Sequence, residues 1–434
     1  MTPAPIHTTI PTLGPCHFHS PLHRIGGVDA PFKSDETDRI LYHSHLLEEG
    51  RDMSTPSFEE AGAREMLYFN PVKTTVGIVT CGGLSPGLND IIRGIVNQCA
   101  LQYGINRIYG FRFGYEGLVE SYGHTPVILK PSSVEQAHNF GGSLLGSSRG
   151  QQKIGDMVDT LEDMKVDILF VIGGDGTLRG ASEIVKEIER RGLKKVVVGI
   201  PKTIDNDIMF LDKSFGFETA FAAAVQAVKC AYVEATGAVN GVGLVKLMGR
   251  DSGFIACYAA LAGSNVDYVL IPEVPFELEG PGGLLETLRY RLSKRGSAVI
   301  VVAEGAGQHL MQTDDATDAS GNKRYGDIGQ YMKDRINAFF KERRTEVNLK
   351  YIDPSYIVRS VPANAADNVY CSRLAQCAVH AALAGKTNML VGRWHGSFVH
   401  LPLELVIHGR RKVDPTQELW HSVLACTGQP PVMR

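Results

Sequence analysis

Doubly wound α/β architecture in two packed domains is what this chain predicts, on three observations. Its 434 residues exceed what one hydrophobic core usually organises, so the mass is expected to divide. From Lys73 onward, short β-branched apolar runs alternate with helical patterns, the signature of parallel βαβ units. The 47 glycines, about one residue in nine, exceed the usual share, and several fall where an apolar run gives way to a helix.

The elements follow in order. Residues 1–72 are Pro- and His-rich and then charged, with little periodicity before the stretch Glu59 to Phe69, and read as an extension. His17, His19, His23, His43 and His45 lie in it without the spacing of a zinc site, so solvated or packing roles are expected. Strands are predicted at Thr75 to Thr80, Ile168 to Ile172, Val196 to Ile200, Val242 to Leu247, Tyr268 to Ile271, Ala298 to Ala303 and Asn388 to Val391, with helices between most of them. Asp90 to Tyr103 and the apolar stretch Ala363 to Leu383 read as helices. Phe276 to Gly283 is a Pro/Gly-rich connection, and Gly307 to Tyr325 an exposed loop, functional or merely inserted.

Composition excludes several classes. Hydrophobic residues at 44% and charged residues at 21% are globular values, which rules out disorder and coiled coil. A net charge of -3 gives no global attraction for nucleic acid or an anionic membrane. No apolar run approaches the roughly 18 residues of a membrane span, and no secretory leader is apparent. A cytoplasmic address follows, and the eight cysteines, with no CxxC pair, are expected as reduced thiols. The partner expected is a small molecule.

Three strand ends carry chemistry. The first empties into Cys81-Gly82-Gly83-Leu84-Ser85-Pro86-Gly87, a turn that lets backbone N–H groups converge on an anion before a helix start; tight packing would also require glycine there. The second ends in Gly173-Gly174-Asp175-Gly176-Thr177, which throws one carboxylate into a glycine turn. Asp175 suits Mg²⁺ on a polyphosphate that the glycines let approach, or a helix cap. NAD kinases and lipid kinases share this string, so it indicates phosphoryl transfer before any substrate. The third ends in Pro201-Lys202-Thr203-Ile204-Asp205-Asn206-Asp207. A carboxylate such as Asp205 suits proton abstraction from an attacking alcohol, provided cations such as Lys202 and Arg250 balance the charge; an Asx-rich turn is the bland alternative. In open α/β sheets, ligands bind at these carboxyl ends.

TCGGLSPGLND, LLGSSRG, GGDGT, PKTIDND, KLMGRDSGF and VAEG together resemble the 6-phosphofructokinases over about residues 73–408. Within that family, GGDGT with PKTIDND is most similar to the ATP-dependent subfamily of plants and trypanosomatids, itself related to pyrophosphate-dependent enzymes. The resemblance implies two Rossmann-like three-layer αβα domains with the active site in the cleft between them. The larger, nucleotide-binding domain would span 73–216 plus 358–408, and the smaller, sugar-phosphate-binding domain 217–357 plus 409–434. It also implies roles. Asp205 would be general base on the C1 hydroxyl of fructose 6-phosphate, Asp175 would bind Mg²⁺ with ATP, and Thr203, Arg250 and Lys202 would serve the transferring phosphoryl. Gly82, Gly83, Arg149, Gly174, Gly176 and Thr177 would line the nucleotide, and Asp207, Met248, Gly249, Glu304, Tyr356 and Arg359 the sugar. The chain would be a homo-oligomer, a tetramer by family analogy.

The resemblance implies that Gly176 decides the donor: in this family a carboxylate there would collide with the nucleotide α-phosphate and favour pyrophosphate, whereas glycine leaves room for ATP. Lys202, typical of pyrophosphate-dependent members, pulls the other way, although the plant and trypanosomatid enzymes combine the two. Bacterial relatives have His where Tyr356 stands and a neighbouring subunit's Arg where Gly241 stands. Losing that bidentate donor leaves Lys350, aligned with an arginine that reaches across a subunit boundary, and Arg359 to hold the 6-phosphate. The alternatives are a pyrophosphate-dependent enzyme, a NAD or lipid kinase, which lacks PKTIDND with MGR, and a non-catalytic paralogue, which should have lost Asp205, Asp175 or Arg250.

Overall fold

A computed structural model describes residues 6–22, 37–44, 56–311 and 324–434. The chain divides into two compact units, the first comprising residues 1–203, 208–216 and 362–410, the second 204–207, 217–361 and 411–434.

The first unit is built on a sheet of nine strands among the described residues. Its centre runs parallel in the order Met389–Trp394, Val196–Pro201, Ile168–Gly173, Thr75–Thr80, Arg107–Phe111. The three innermost of these, Val196–Pro201, Ile168–Gly173 and Thr75–Thr80, are buried on both faces, which is why they read as apolar runs rather than alternations. Successive side chains feed different cores. Ile168, Phe170 and Ile172 join Val196, Val198 and Ile200 against the helices Leu88–Asn97 and Ala365–Leu383. Leu169, Val171 and Val197 pack on the other side with Ile154–Asp163 and Asp175–Arg190. That is the three-layer arrangement expected of crossover helices on both faces of a parallel sheet.

The segment read as an extension contributes to this sheet. Ser57–Glu60 pairs antiparallel with Ser397–Pro402 and with Arg39–Leu41, and Phe58 and Glu59 are buried. Its charges hid the strand: Glu59 is buried beside Arg64, Lys386 and His400. Lys386 therefore holds a carboxylate of its own chain. His17, His19 and His43 are exposed; His23 and His45 lie outside the described residues.

Among the described residues, the second unit carries a four-stranded parallel sheet in the order Tyr268–Leu270, Ser297–Ala303, Gly241–Leu247, Asn348–Ile352. Val245, Leu247, Val299 and Val301 pack with Phe217–Thr236, Phe254–Gly263 and Glu418–Thr427. Val242, Leu244, Ile300 and Val302 pack with Leu284–Arg295 and Ile328–Glu342. Asp327 caps the latter helix by accepting from the Gln330 N–H at 3.2 Å. Of the loop predicted over Gly307 to Tyr325, residues 312–323 lie outside the described set. The eight cysteines are unbridged. Among the described residues, no helix is long and apolar enough to cross a membrane.

Candidate active site

In the first unit the three motif-bearing turns follow adjacent parallel strands, Thr75–Thr80, Ile168–Gly173 and Val196–Pro201. Neighbouring parallel strands end side by side, so the topology gathers Gly82, Gly83, Gly174, Asp175, Gly176, Thr177, Lys202 and Thr203 at one edge. Gly82 has φ +83°, a conformation that favours glycine, and its N–H donates to the Ser148 carbonyl at 2.9 Å. Ser147 Oγ returns a bond to the Gly82 carbonyl at 2.6 Å. Arg149 follows directly and is exposed. Lys202, 5% exposed, donates from Nζ to the Gly83 carbonyl, while its own N–H donates to the Gly173 carbonyl at 2.9 Å. One lysine thus joins all three turns. Thr203 accepts at its carbonyl from Ser214 Oγ at 2.6 Å.

Asp175 is the first residue of the helix Asp175–Arg190. Its Oδ2 faces Arg179 Nη2 at 2.9 Å and Arg410 Nη2 at 3.7 Å, and its Oδ1 is buried without a hydrogen-bond partner. A buried, unpartnered carboxylate oxygen is costly unless something else fills its coordination, and a hard oxygen donor suits Mg²⁺. Gly176 is exposed, and a Cβ built there meets nothing within 4 Å. Gly173 differs: its Cβ would sit 2.4 Å from Thr177, so this glycine serves strand–helix packing.

The motif PKTIDND is shared between units, with Lys202 and Thr203 in the first and Asp205 and Asp207 in the second. Within the second unit, the Asp205 carbonyl accepts from Ser252 Oγ at 3.1 Å, and the Asp207 carbonyl from the Arg411 N–H at 2.7 Å. Asp205 is thereby tied to the loop that carries Met248, Gly249 and Arg250. Gly249 has φ +126°. Glu304 follows the neighbouring strand, and its N–H donates to the Leu247 carbonyl at 2.9 Å. Burial pushes the Glu304 carboxyl up, against the pull of Arg250 and Lys246. Arg359 lies in the same electrostatic neighbourhood and sits 4.9 Å over the exposed Tyr356 ring. Lys350 is exposed and pairs with Gly243, toward the beginning of the parallel strands rather than their carboxyl ends. Gly241 opens its strand, where a Cβ would lie 1.9 Å from the Ala235 carbonyl oxygen.

Two groups escaped the sequence reading. Lys246 Nζ lies 2.8 Å from Asp353 and 3.1 Å from Asp327, and Tyr351 donates to Asp327 at 3.2 Å. A lysine inside an otherwise apolar strand, GVGLVKL, is a signal that carboxylates must meet it. Glu273 accepts from the N–H groups of Gly253 and Val413, at 3.0 and 2.8 Å, and nothing in its local sequence announces that.

Turns of this kind at the carboxyl ends of parallel strands define a phosphoryl-transfer protein. The chain belongs to the phosphofructokinase family, whose model, described as Phosphofructokinase, matches residues 75–382. It is 48% identical over 434 residues to an ATP-dependent 6-phosphofructokinase of Borreliella burgdorferi, covering 98% of this chain and 97% of the relative. It is 43% identical to that of Trypanosoma brucei brucei, covering 94% and 86%. Among solved structures, a pyrophosphate-dependent phosphofructokinase of Marinobacter aquaeolei superposes with a TM-score of 0.67 at 20% identity, covering 81% of this chain and 91% of that one. The last likeness supports the fold alone.

Proposed function

We propose that the chain catalyses Mg²⁺-dependent transfer of the ATP γ-phosphoryl group to O1 of fructose 6-phosphate, giving fructose 1,6-bisphosphate and ADP. The observation that carries this reading is the pair Asp175–Gly176: a carboxylate with a buried, unpartnered oxygen beside a backbone with open space. Asp175 would hold Mg²⁺, which would supply charge neutralisation to the polyphosphate. The glycine turns Gly82-Gly83 and Gly174-Gly176, with Thr177 and Arg149, bind the nucleotide.

Asp205 takes the proton of the O1 hydroxyl as O1 attacks the γ-phosphorus; the O1–P bond forms, the bond to the β-phosphate bridging oxygen breaks, and ADP leaves with that electron pair. Thr203, Arg250 and Lys202 stabilise the charge that moves. Asp207, Met248, Gly249, Glu304, Tyr356 and Arg359 hold the sugar, with Lys350 reaching the 6-phosphate of a neighbouring subunit in a homo-oligomer, a tetramer on family analogy. The enzyme works in the cytoplasm.

Initial rates with fructose 6-phosphate, Mg²⁺ and either ATP or pyrophosphate, detected through aldolase, test the reading. Turnover with ATP alone is expected. Turnover with pyrophosphate alone would show that Lys202 outweighs Gly176, and activity with neither would favour a regulatory relative.

A further inference from the structure

The geometry points to Arg410 as a further contact for the donor phosphates, an inference that rests on the nucleotide half of the proposed function. Two arginines face the proposed metal carboxylate, and they are differently built. Arg179 stems from the helix that Asp175 begins; its side chain is 59% exposed and makes an i,i+4 pair, a contact worth little in water. Arg410 comes from the far end of the chain, and its side chain is 26% exposed. Its backbone bridges antiparallel to Ile208 within the same unit.

The contact distance matters. At 3.7 Å from Asp175 Oδ2 the guanidinium is beyond hydrogen-bond reach, while Arg179 already donates to that oxygen at 2.9 Å. Arg410 therefore stands in the field of the carboxylate without being its hydrogen-bond donor. Asp175 adds a negative charge where a polyphosphate must approach Gly176, and a guanidinium beside it would help Mg²⁺ and Arg179 to offset that charge. Arg410 is the half-buried guanidinium of the first unit beside that carboxylate, and its planar fork matches paired phosphate oxygens.

The test is calorimetric binding of ADP, with Mg²⁺ and again with EDTA, to the full-length protein and to the variants Arg410→Met, Arg410→Lys, Arg179→Ala and Asp175→Asn. Losing a charge-assisted contact is expected to weaken ADP about tenfold or more in both conditions for Arg410→Met, with partial recovery in Arg410→Lys and no change in Arg179→Ala. Asp175→Asn is expected to weaken only the Mg²⁺ complex. If Arg410→Met weakens ADP with Mg²⁺ but not with EDTA, Arg410 acts only through Asp175 and the proposed contact is wrong. Unchanged binding in Arg410→Met beside a loss in Asp175→Asn overturns this inference alone; unchanged binding in both overturns the donor site itself.

Discussion

Asp205 and Gly176 make opposite demands on a test, one proposed as a group that acts and the other as a residue that leaves room. Asp205 is anchored through its backbone to Ser252, so shortening its side chain leaves that tie in place. Asp205→Ser is expected to lower kcat by about 10² to 10⁴-fold, the usual worth of a general base, with the KM for fructose 6-phosphate little changed. Turnover near the parent value would remove Asp205 from that role. Gly176 has open space around a built Cβ and lies in the first turn of a helix, where an acidic side chain is favourable. Gly176→Asp should therefore fold as well as the parent and yet lose ATP turnover, because the new carboxylate repels the α-phosphate. ATP turnover that survives in a normally folded variant would sink the argument for the donor.

At the scale of elements, the second unit depends on close backbone approach between strand ends. A Cβ on Gly305 would lie 1.7 Å from the Arg250 carbonyl oxygen, so the residue after Glu304 must be glycine for Arg250 to keep its place. Gly305→Ala should displace Arg250 or Glu304 and cost on the order of 10² in kcat, the effect of a misplacement near 1 Å, while ADP still binds. Steady-state kinetics with a parallel ADP titration checks this, and a kcat within threefold of the parent would refute it. Strand ends of this kind were legible because fully buried parallel strands leave continuous apolar runs before glycine. Asn348–Ile352 was not, because it lies at the sheet's edge and contains Lys350. Ser397–Pro402 was missed for another reason. Its hairpin turns through His395 and Gly396, both at positive φ, and histidine in the place where asparagine or aspartate usually stands conceals the turn. The proposed roles of Asp175, Asp205 and Lys202 rest on motifs that are local in sequence. Arg410 and Glu273 could not be found from such motifs, since long-range packing brings each of them to its partners.

Across the whole chain, residues distant in sequence are fastened by one buried carboxylate. Glu59 accepts from Arg64 at 2.7 Å, Lys386 at 2.8 Å and His400 Nδ1 at 3.1 Å, joining an early strand to the last strands of its sheet. Burial pushes the Glu59 carboxyl up, but the contacts with His400 and Lys386 outweigh it and hold the group well below the ordinary carboxylate range. The sign follows from linkage. A carboxyl depressed in the folded state contributes stability that is fully present above its unfolded pKa, about 4.3, and is lost as pH falls toward the folded value. Glu59→Gln should remove that part of the acid sensitivity, flattening the dependence of unfolding free energy on pH below about 5. At neutral pH it should cost about 3 to 5 kcal/mol, because Arg64 and Lys386 stay buried without their counter-charge. Denaturant titrations of both proteins from pH 7 to pH 3.5 measure the two effects together. Equal acid slopes would show that the carboxyl is not depressed in the folded state. An unchanged stability at pH 7 would show that the cations find other acceptors, and that the early strand is held by Phe58 and its ladder rather than by charge.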